Sequence, residues 1–364
     1  MGGAGPAGGA AADRRHLGAQ RGAGHGPRRA QRQLPRHRRA LQRPAAATPG
    51  LQRGGRAGGG REDGRVPRLA RGPKLKIRIG TRGSRLALVQ TGLVADRLRA
   101  VGHEVELVPI VTEGDVRPVD MVPGEGVFVA AIARALRAGE IDVAVHSAKD
   151  VPIADEPGLT IAAYPERADA RDALVTRAGG ATLETLPEGA VVGTDSPRRE
   201  GFVLAARKGL RVIPLHGNVD SRLRRLDEGA VEVLVLAAAG IDRLGEGSRI
   251  DQRLDPTVVP PAPAQGALAI QARSGDRELL AALGELDDPQ VRFAIETERT
   301  VLEASGGGCR APLGALVMPS DDGYRLLAYA INAEGRVRGT SGSGPADYIG
   351  ARARPIGEWL AEAW

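Results

Sequence analysis

A chain of 364 residues with a single cysteine holds no intramolecular disulfide framework and no cysteine-rich metal site, which reads as a protein of a reducing compartment. Its formal net charge of +7 would suggest a nucleic-acid or membrane partner, but residues 1–73 carry 16 arginines against Asp13, Glu62 and Asp63, a net of +13, so the remaining chain nets −6. No run of about 18 apolar residues occurs, which excludes a membrane-spanning helix from the reading.

Residues 1–73 are mostly Arg, Gly, Ala and Pro without an aromatic residue, so they bury no core and are expected to be disordered. They have neither the apolar core of a signal peptide nor the serines of a transit peptide. Their composition matches GC-rich sequence translated from a start codon set too far upstream better than it matches a functional arm.

From Lys74 onward strands alternate with helices. "LKIRIGT" is a strand ending at the corner "RGS", and the stretch from Ser84 to Gly102 has apolar spacing of three and four, with Ser84 as N-cap and Gly102 as stop. "HEVELVPIVT" is a strand, "GVFVAAIARALRAGE" a helix, and "IDVAVHS" a strand ending at Lys149 and Asp150. "LTIAAYP" and "DALVT" are strands flanking a crossover near residues 165–172. A second unit starts with the strand "AVVGT" and the helix "SPRREGFVLAARKG", where Ser196 suits the N-cap and Pro197 the first helical position. "RVIPLHG" leads into the helix "NVDSRLRRLDEG", and "VEVLVLAAAGI" reads as a buried strand ending at Asp242 and Arg243. "VVPPAPAQGALAIQAR" is a proline-rich connection into a strand that returns to the first unit. After the glycine loop of Cys309 come short strands such as "YRLLAYAI" and a final helix from about Pro355. The alternation predicts α/β layers with ligands at strand carboxyl ends and helix amino ends.

The chemistry concentrates at those corners. A helix amino terminus carries partial positive charge, so Arg198 and Arg199 in the first turn of "SPRRE" either face an anionic ligand or stand as solvated surface arginines. Arg82 and Arg85 flank Ser84, Arg222 follows "GNVDS", and Arg243 follows an apolar run, so cations recur at strand-to-helix corners and suit a ligand with many carboxylates. "VHSAKD" places His146, Ser147, Lys149 and Asp150 at a strand end; the nucleophile elbow of a serine hydrolase is missing, leaving a functional carboxylate or a structural Lys149–Asp150 ion pair. Cys309, between glycines and Arg310, is either a small inert hydrophobe or a thiol activated by the neighbouring cation.

The motifs "KIRIGTRGSRLALVQT", "GVFVAAIARALRAGEIDVAVHSAKDVP", "VVGTDSPRRE", "GNVDSRLRRLDEG", "LAAAGIDRLG", "PAPAQGALAI" and "SGGGCRAPLGA" occur in one order, and together they resemble the porphobilinogen deaminase family, closely over residues 74–315. The resemblance implies an α/β fold with two lobes similar to those of periplasmic binding proteins around a central cleft, plus a small α+β C-terminal domain. It divides the chain into residues 74–167 with 265–285, residues 172–260, and residues 289–364, the last carrying the cysteine loop. It implies a cytoplasmic, monomeric transferase of tetrapyrrole (heme) biosynthesis that joins four porphobilinogen units into hydroxymethylbilane, with no nucleic-acid or membrane partner.

The same resemblance implies a dipyrromethane cofactor bound through a thioether to Cys309, with Asp150 as the catalytic carboxylate. Arg82, Ser84, Ser147, Lys149, Thr194, Ser196, Arg198, Arg199, Arg222 and Arg243 are implied as partners of cofactor and substrate, and no metal is implied. Cys309 together with Asp150 separates this reading from a non-catalytic binder of small anions, which needs neither; a nucleic-acid binder acting through the basic segment lacks a recognition motif. Three positions depart from the family pattern: His216 stands where arginine is common, and Glu113 and Glu125 stand where basic or neutral residues are usual.

Overall fold

The computed structural model describes residues 74–110, 127–308 and 310–363. Glu113, Glu125, Cys309 and the segment expected to be disordered lie outside them.

The first lobe starts with β1 (Lys76–Thr81), whose inward Ile77 and Ile79 alternate with more exposed positions, and continues through α1 (Arg85–Ala100) to β2 (Glu104–Pro109). The helix α2 (Val127–Arg137), β3 (Val143–Ser147) and β4 (Leu159–Ala163) follow. The chain then crosses into a second lobe made of β5 (Asp172–Thr176), β6 (Val191–Gly193), α3 (Pro197–Ala206), β7 (Arg211–Ile213), α4 (Val219–Asp227), β8 (Val233–Ala237), α5 (Ala238–Arg243) and β9 (Gln252–Arg253). It returns to the first sheet as β10 (Leu268–Arg273).

The two sheets have the same plan. The orders are β2-β1-β3-β10-β4 and β7-β6-β8-β5-β9. β1 is parallel to β2 and β3 while β10 is antiparallel to β3 and β4; β6 is parallel to β7 and β8 while β5 is antiparallel to β8 and β9. The antiparallel strand comes last in one lobe and first in the other, which is why two crossovers join them. β3 and β8 read as unbroken apolar runs because each is a central strand covered on both faces.

Each lobe has its own core. Ile77, Ile79, Leu98 and Ile270 pack together in the first, and Leu174, Val192, Phe202 and Val235 in the second. After α6 (Arg277–Gly284), α7 (Pro289–Ala304) leads into a three-stranded antiparallel sheet, β11 (Leu313–Ser320), β12 (Gly323–Ile331) and β13 (Val337–Gly344), closed by α8 (Ala346–Ala361). Val301, Leu313, Val317, Ile349 and Leu360 form the core of this α+β part. The fold class is thus α/β in two lobes with a small C-terminal α+β domain.

The crossovers meet at one buried carboxylate. Glu298 of α7 is fully buried; it takes two hydrogen bonds from Arg167 (2.6 and 3.0 Å) on the first crossover and one from Ala264 N (2.6 Å) on the second. It also accepts from Val317 N of β11 at 2.7 Å. One side chain therefore ties both crossovers to the C-terminal domain. Ala264 holds the left-handed conformation at φ 65°, a strain of about 1 kcal/mol that the surrounding bonds maintain.

Two expectations need correction. The strand expected through Ile241 stops at Ala237, and Ala238–Arg243 is helical: past Leu236 the sequence is alanine and glycine, which give no branched surface to a sheet and permit the turn. The final helix starts at Ala346 rather than near Pro355, which lies inside it. Pro355 faces solvent, so the carbonyl it leaves unbonded one turn earlier, at exposed Ala351, can be met by water.

Candidate active site

A cleft of about 370 Å³ opens between the lobes, lined from both. Three helices begin at its wall, each with a side-chain cap. Ser84 Oγ accepts from Ala87 N at 3.3 Å, Ser196 Oγ from Arg199 N at 3.4 Å, and Asn218 Oδ1 from Ser221 N at 2.9 Å. The remaining amides of α1, α3 and α4 and their aligned dipoles favour an anion there.

Most of the expected residues are brought together. Arg82 and Ser84 line the cleft at the α1 corner, Ser147, Lys149 and Asp150 at the end of β3, and Ser196, Arg198 and Arg199 at the start of α3. Arg222 and Arg243 line it from α4 and α5. Thr194 does not: it is buried behind the wall, its hydroxyl accepting from Ser196 N at 3.3 Å and so steadying that corner. Asp150 is exposed on the lip, the last residue of a 3₁₀ turn at Ala148–Asp150.

The cations are held, not loose. Arg198 and Arg199 are 3% and 6% exposed, and the anion their position calls for is partly supplied by the protein itself, from Asp172 of β5. Asp172 Oδ2 takes Arg198 Nη1 at 2.7 Å, and Oδ1 takes Arg199 Nε and Nη2 at 3.0 and 2.8 Å. Arg198 donates further to Pro260 O. Burial opposes the charge of Asp172, yet the two guanidiniums outweigh it and hold the carboxyl well below the usual carboxylate range. Gln265 Nε2 also donates to Asp172 Oδ1 (2.9 Å), while its Oε1 accepts from Lys149 Nζ (3.3 Å). Sequence reasoning passed over Asp172 and Gln265; their type and position carry no local pattern, and their partners lie far along the chain.

On the other wall Arg222 Nε donates to Gly217 O at 2.8 Å, and Arg243 Nη2 to Gly266 O at 2.7 Å. Gly266 has φ +89°, and a Cβ there would stand 2.5 Å from Ala168 O, so the two crossovers pass too closely for a side chain. Burial pulls the Arg243 guanidinium down to about 10, still cationic at neutral pH. Arg85, flagged at the first corner, reaches across to the second lobe, with Nη1 on Asp220 Oδ1 and Nη2 on Leu244 O, both at 3.0 Å. His216, the departure from arginine, places Nδ1 3.1 Å from Asp195 Oδ2.

Burial, with the Arg199 charge beside it, pulls the Lys149 ammonium down to about 8. Binding of an anionic ligand is therefore expected to weaken as pH rises through about 8, and Lys149→Arg, which stays charged, is expected to remove that inflection when affinity is followed against pH. Folding stability moves the opposite way: between about 8 and 10.5 the unfolded chain binds the Lys149 proton more tightly, so stability rises with pH there.

Comparison with known proteins bears on what this cleft is. Residues 77–281 match the family described as "Porphobilinogen deaminase, dipyromethane cofactor binding domain". The chain is 46% identical over 292 residues to porphobilinogen deaminase of Roseiflexus castenholzii, covering 79% of this chain and 94% of the relative. It is 49% identical over 242 residues to porphobilinogen deaminase of Mycolicibacterium gilvum, covering 66% of this chain and 77% of the relative. Among solved structures, the substrate-binding protein of a polar amino acid uptake transporter from Streptococcus thermophilus aligns with a TM-score of 0.36 at 14% identity, covering 64% of this chain and 82% of that one.

Proposed function

The chain belongs to the porphobilinogen deaminase family, and on that footing we propose that Asp150 is its catalytic carboxylate and that the cationic corners hold the side chains of the substrate and growing product. The protein is a transferase: it joins four porphobilinogen units head to tail with release of ammonia, giving hydroxymethylbilane in tetrapyrrole biosynthesis. The observation that carries the assignment is an exposed carboxylate, Asp150, on the lip of a cleft where, among the described residues, the lining charges are otherwise cationic apart from Asp195.

The chemistry follows from those groups. The protonated aminomethyl group of porphobilinogen leaves as ammonia, and the positive charge then spreads over the pyrrole. A carboxylate held beside that ring stabilises the developing charge and accepts from the pyrrole N–H, and it does so best where walls exclude water. Asp150 suits the task because it is an exposed member of the cleft lining, while its neighbour Lys149 donates to Gln265 Oε1. Each pyrrole carries two carboxylates; Arg82, Arg199, Arg222 and Arg243, with Ser84, Ser147 and Ser196, offer charged and hydroxyl donors for them.

The same donor set fits the family's dipyrromethane group, which is itself polyanionic. Bound, that group supplies the pyrrole end from which the chain is extended. Its attachment to Cys309 is supported by the neighbouring residue: Arg310 Nη2 donates to Asp195 O, a cleft residue, at 3.4 Å. Among the described residues no helix is long and apolar enough to cross a membrane; a cytoplasmic enzyme acting as a monomer is part of the proposal. Purified full-length protein given porphobilinogen is expected to release ammonia in step with its consumption; no consumption, or consumption without ammonia, would overturn the assignment.

A further inference from the structure

Two carboxylates, Asp150 and Asp195, are among the described residues that line the cleft, and the reaction accounts for only one. Asp195 precedes the cap residue of α3. Its Oδ1 pairs with Arg222 Nη2 at 3.0 Å and its Oδ2 with His216 Nδ1 at 3.1 Å. Asp195 and Arg222 line the cleft and stay reachable from it, 23% and 14% exposed.

A structural counter-ion looks different here. Asp172 is fully buried between Arg198 and Arg199 and is not among the residues that line the cleft. Asp195 instead occupies, from within the chain, the place a ligand carboxylate would take on Arg222. We propose that Asp195 is a built-in competitor for Arg222, a specificity-determining carboxylate that weakens the hold of the cleft on anionic ligands. The inference rests on reading the cleft as a site for polycarboxylates.

Charge and geometry both support it. Burial opposes ionisation of Asp195, but Arg222 and the hydrogen bond to His216 prevail, so its carboxyl stays below its ordinary range and is charged at neutral pH. A ligand carboxylate approaching Arg222 must displace that anion or share the guanidinium against its repulsion. The backbone carbonyl of Asp195 takes Arg310 at 3.4 Å, so this corner adjoins the residue that follows, in sequence, the cysteine from which the product chain is proposed to grow. An enzyme that lengthens a polyanion and must then release it gains nothing from binding every carboxylate at full strength, because uniform binding does not speed the chemical step.

The test uses the holoenzyme and its Asp195→Asn and Asp195→Glu variants, with citrate titrated by calorimetry and steady-state kinetics on porphobilinogen. Asp195→Asn keeps the shape and removes the charge; its citrate Kd is expected to fall about tenfold, with the kinetic change on KM more than on kcat. Asp195→Glu restores the charge and is expected to bind citrate weakly again. Equal or weaker citrate binding by Asp195→Asn at an unchanged melting temperature would overturn the proposal and make Asp195 an orienting partner of Arg222. Should that variant melt lower, Asp195→Ser takes its place, judged by the same two outcomes. Tighter citrate binding by the variant beside a wild type that releases no ammonia would uphold the competitor role and sink the functional reading alone.

Discussion

Asp150→Asn is expected to lower turnover about 10²–10³-fold, the usual cost of losing one preorganised group aimed at developing charge, while KM stays within a few-fold of the wild type. The asparagine keeps the volume and one acceptor oxygen but carries no charge to set against the cation formed as ammonia leaves. Binding survives because the groups offered to the ligand carboxylates, Arg82, Arg199, Arg222 and Arg243, lie elsewhere on the wall. Rapid-mixing measurement of ammonia release separates the two effects. Turnover within about tenfold of wild type would remove Asp150 from the reaction, since a carboxylate that merely lines the cleft is not worth more than one such factor.

Asp172→Asn is expected to cost about 3–5 kcal/mol of stability, because it strips the counter-ion from two guanidiniums that are already desolvated. Arg198 and Arg199 are 4% and 8% exposed in their side chains, and Asp172 is 0% exposed. Four hydrogen bonds, from Arg198, Arg199 and Gln265, converge on its carboxylate. The pH dependence has a definite sign. The folded-state carboxyl titrates below its ordinary value of 3.8, so the contribution is fully present above that range and is lost on acidification below it. Denaturant unfolding at neutral pH measures the loss. The variant should also lose its acid-dependent destabilisation in proportion, and a cost under about 1 kcal/mol would mean that the two arginines are neutralised by something other than Asp172.

What could be read from the sequence was local. Ser84, Ser196 and Asn218 each satisfy an amide only three residues ahead, so the helix starts, and with them the corners of the cleft, were visible as short patterns. The arginines at those corners were visible as an anomaly, since positive charge in a first turn needs a compensating anion. The identity of that anion was not visible: Asp172 meets Arg198 across 26 positions and Gln265 across 93, and only the antiparallel pairing of β5 with β8 brings it there. The same holds for Glu298, joined to Arg167 across 131 positions, and for Asp195 with His216 and Arg222. Where the sequence misled, tertiary context prevailed over local preference: an apolar run after Leu236 bent into α5, and Pro355 sat on the solvent side of α8 without ending it. The departure at His216 was legible as a missing arginine, but its meaning came only with its partner, because the histidine faces Asp195 rather than open cleft.

The central claim is that this chain is a deaminase primed by a dipyrromethane group on Cys309, and the mass of the intact protein tests it most directly. Protein purified from cells able to make porphobilinogen should weigh more than its polypeptide by two linked pyrrole units, and Cys309→Ser should weigh only its polypeptide and show no turnover. A wild-type chain at its unmodified mass that still turns over porphobilinogen would contradict the account, as would a Cys309→Ser chain that keeps the added mass.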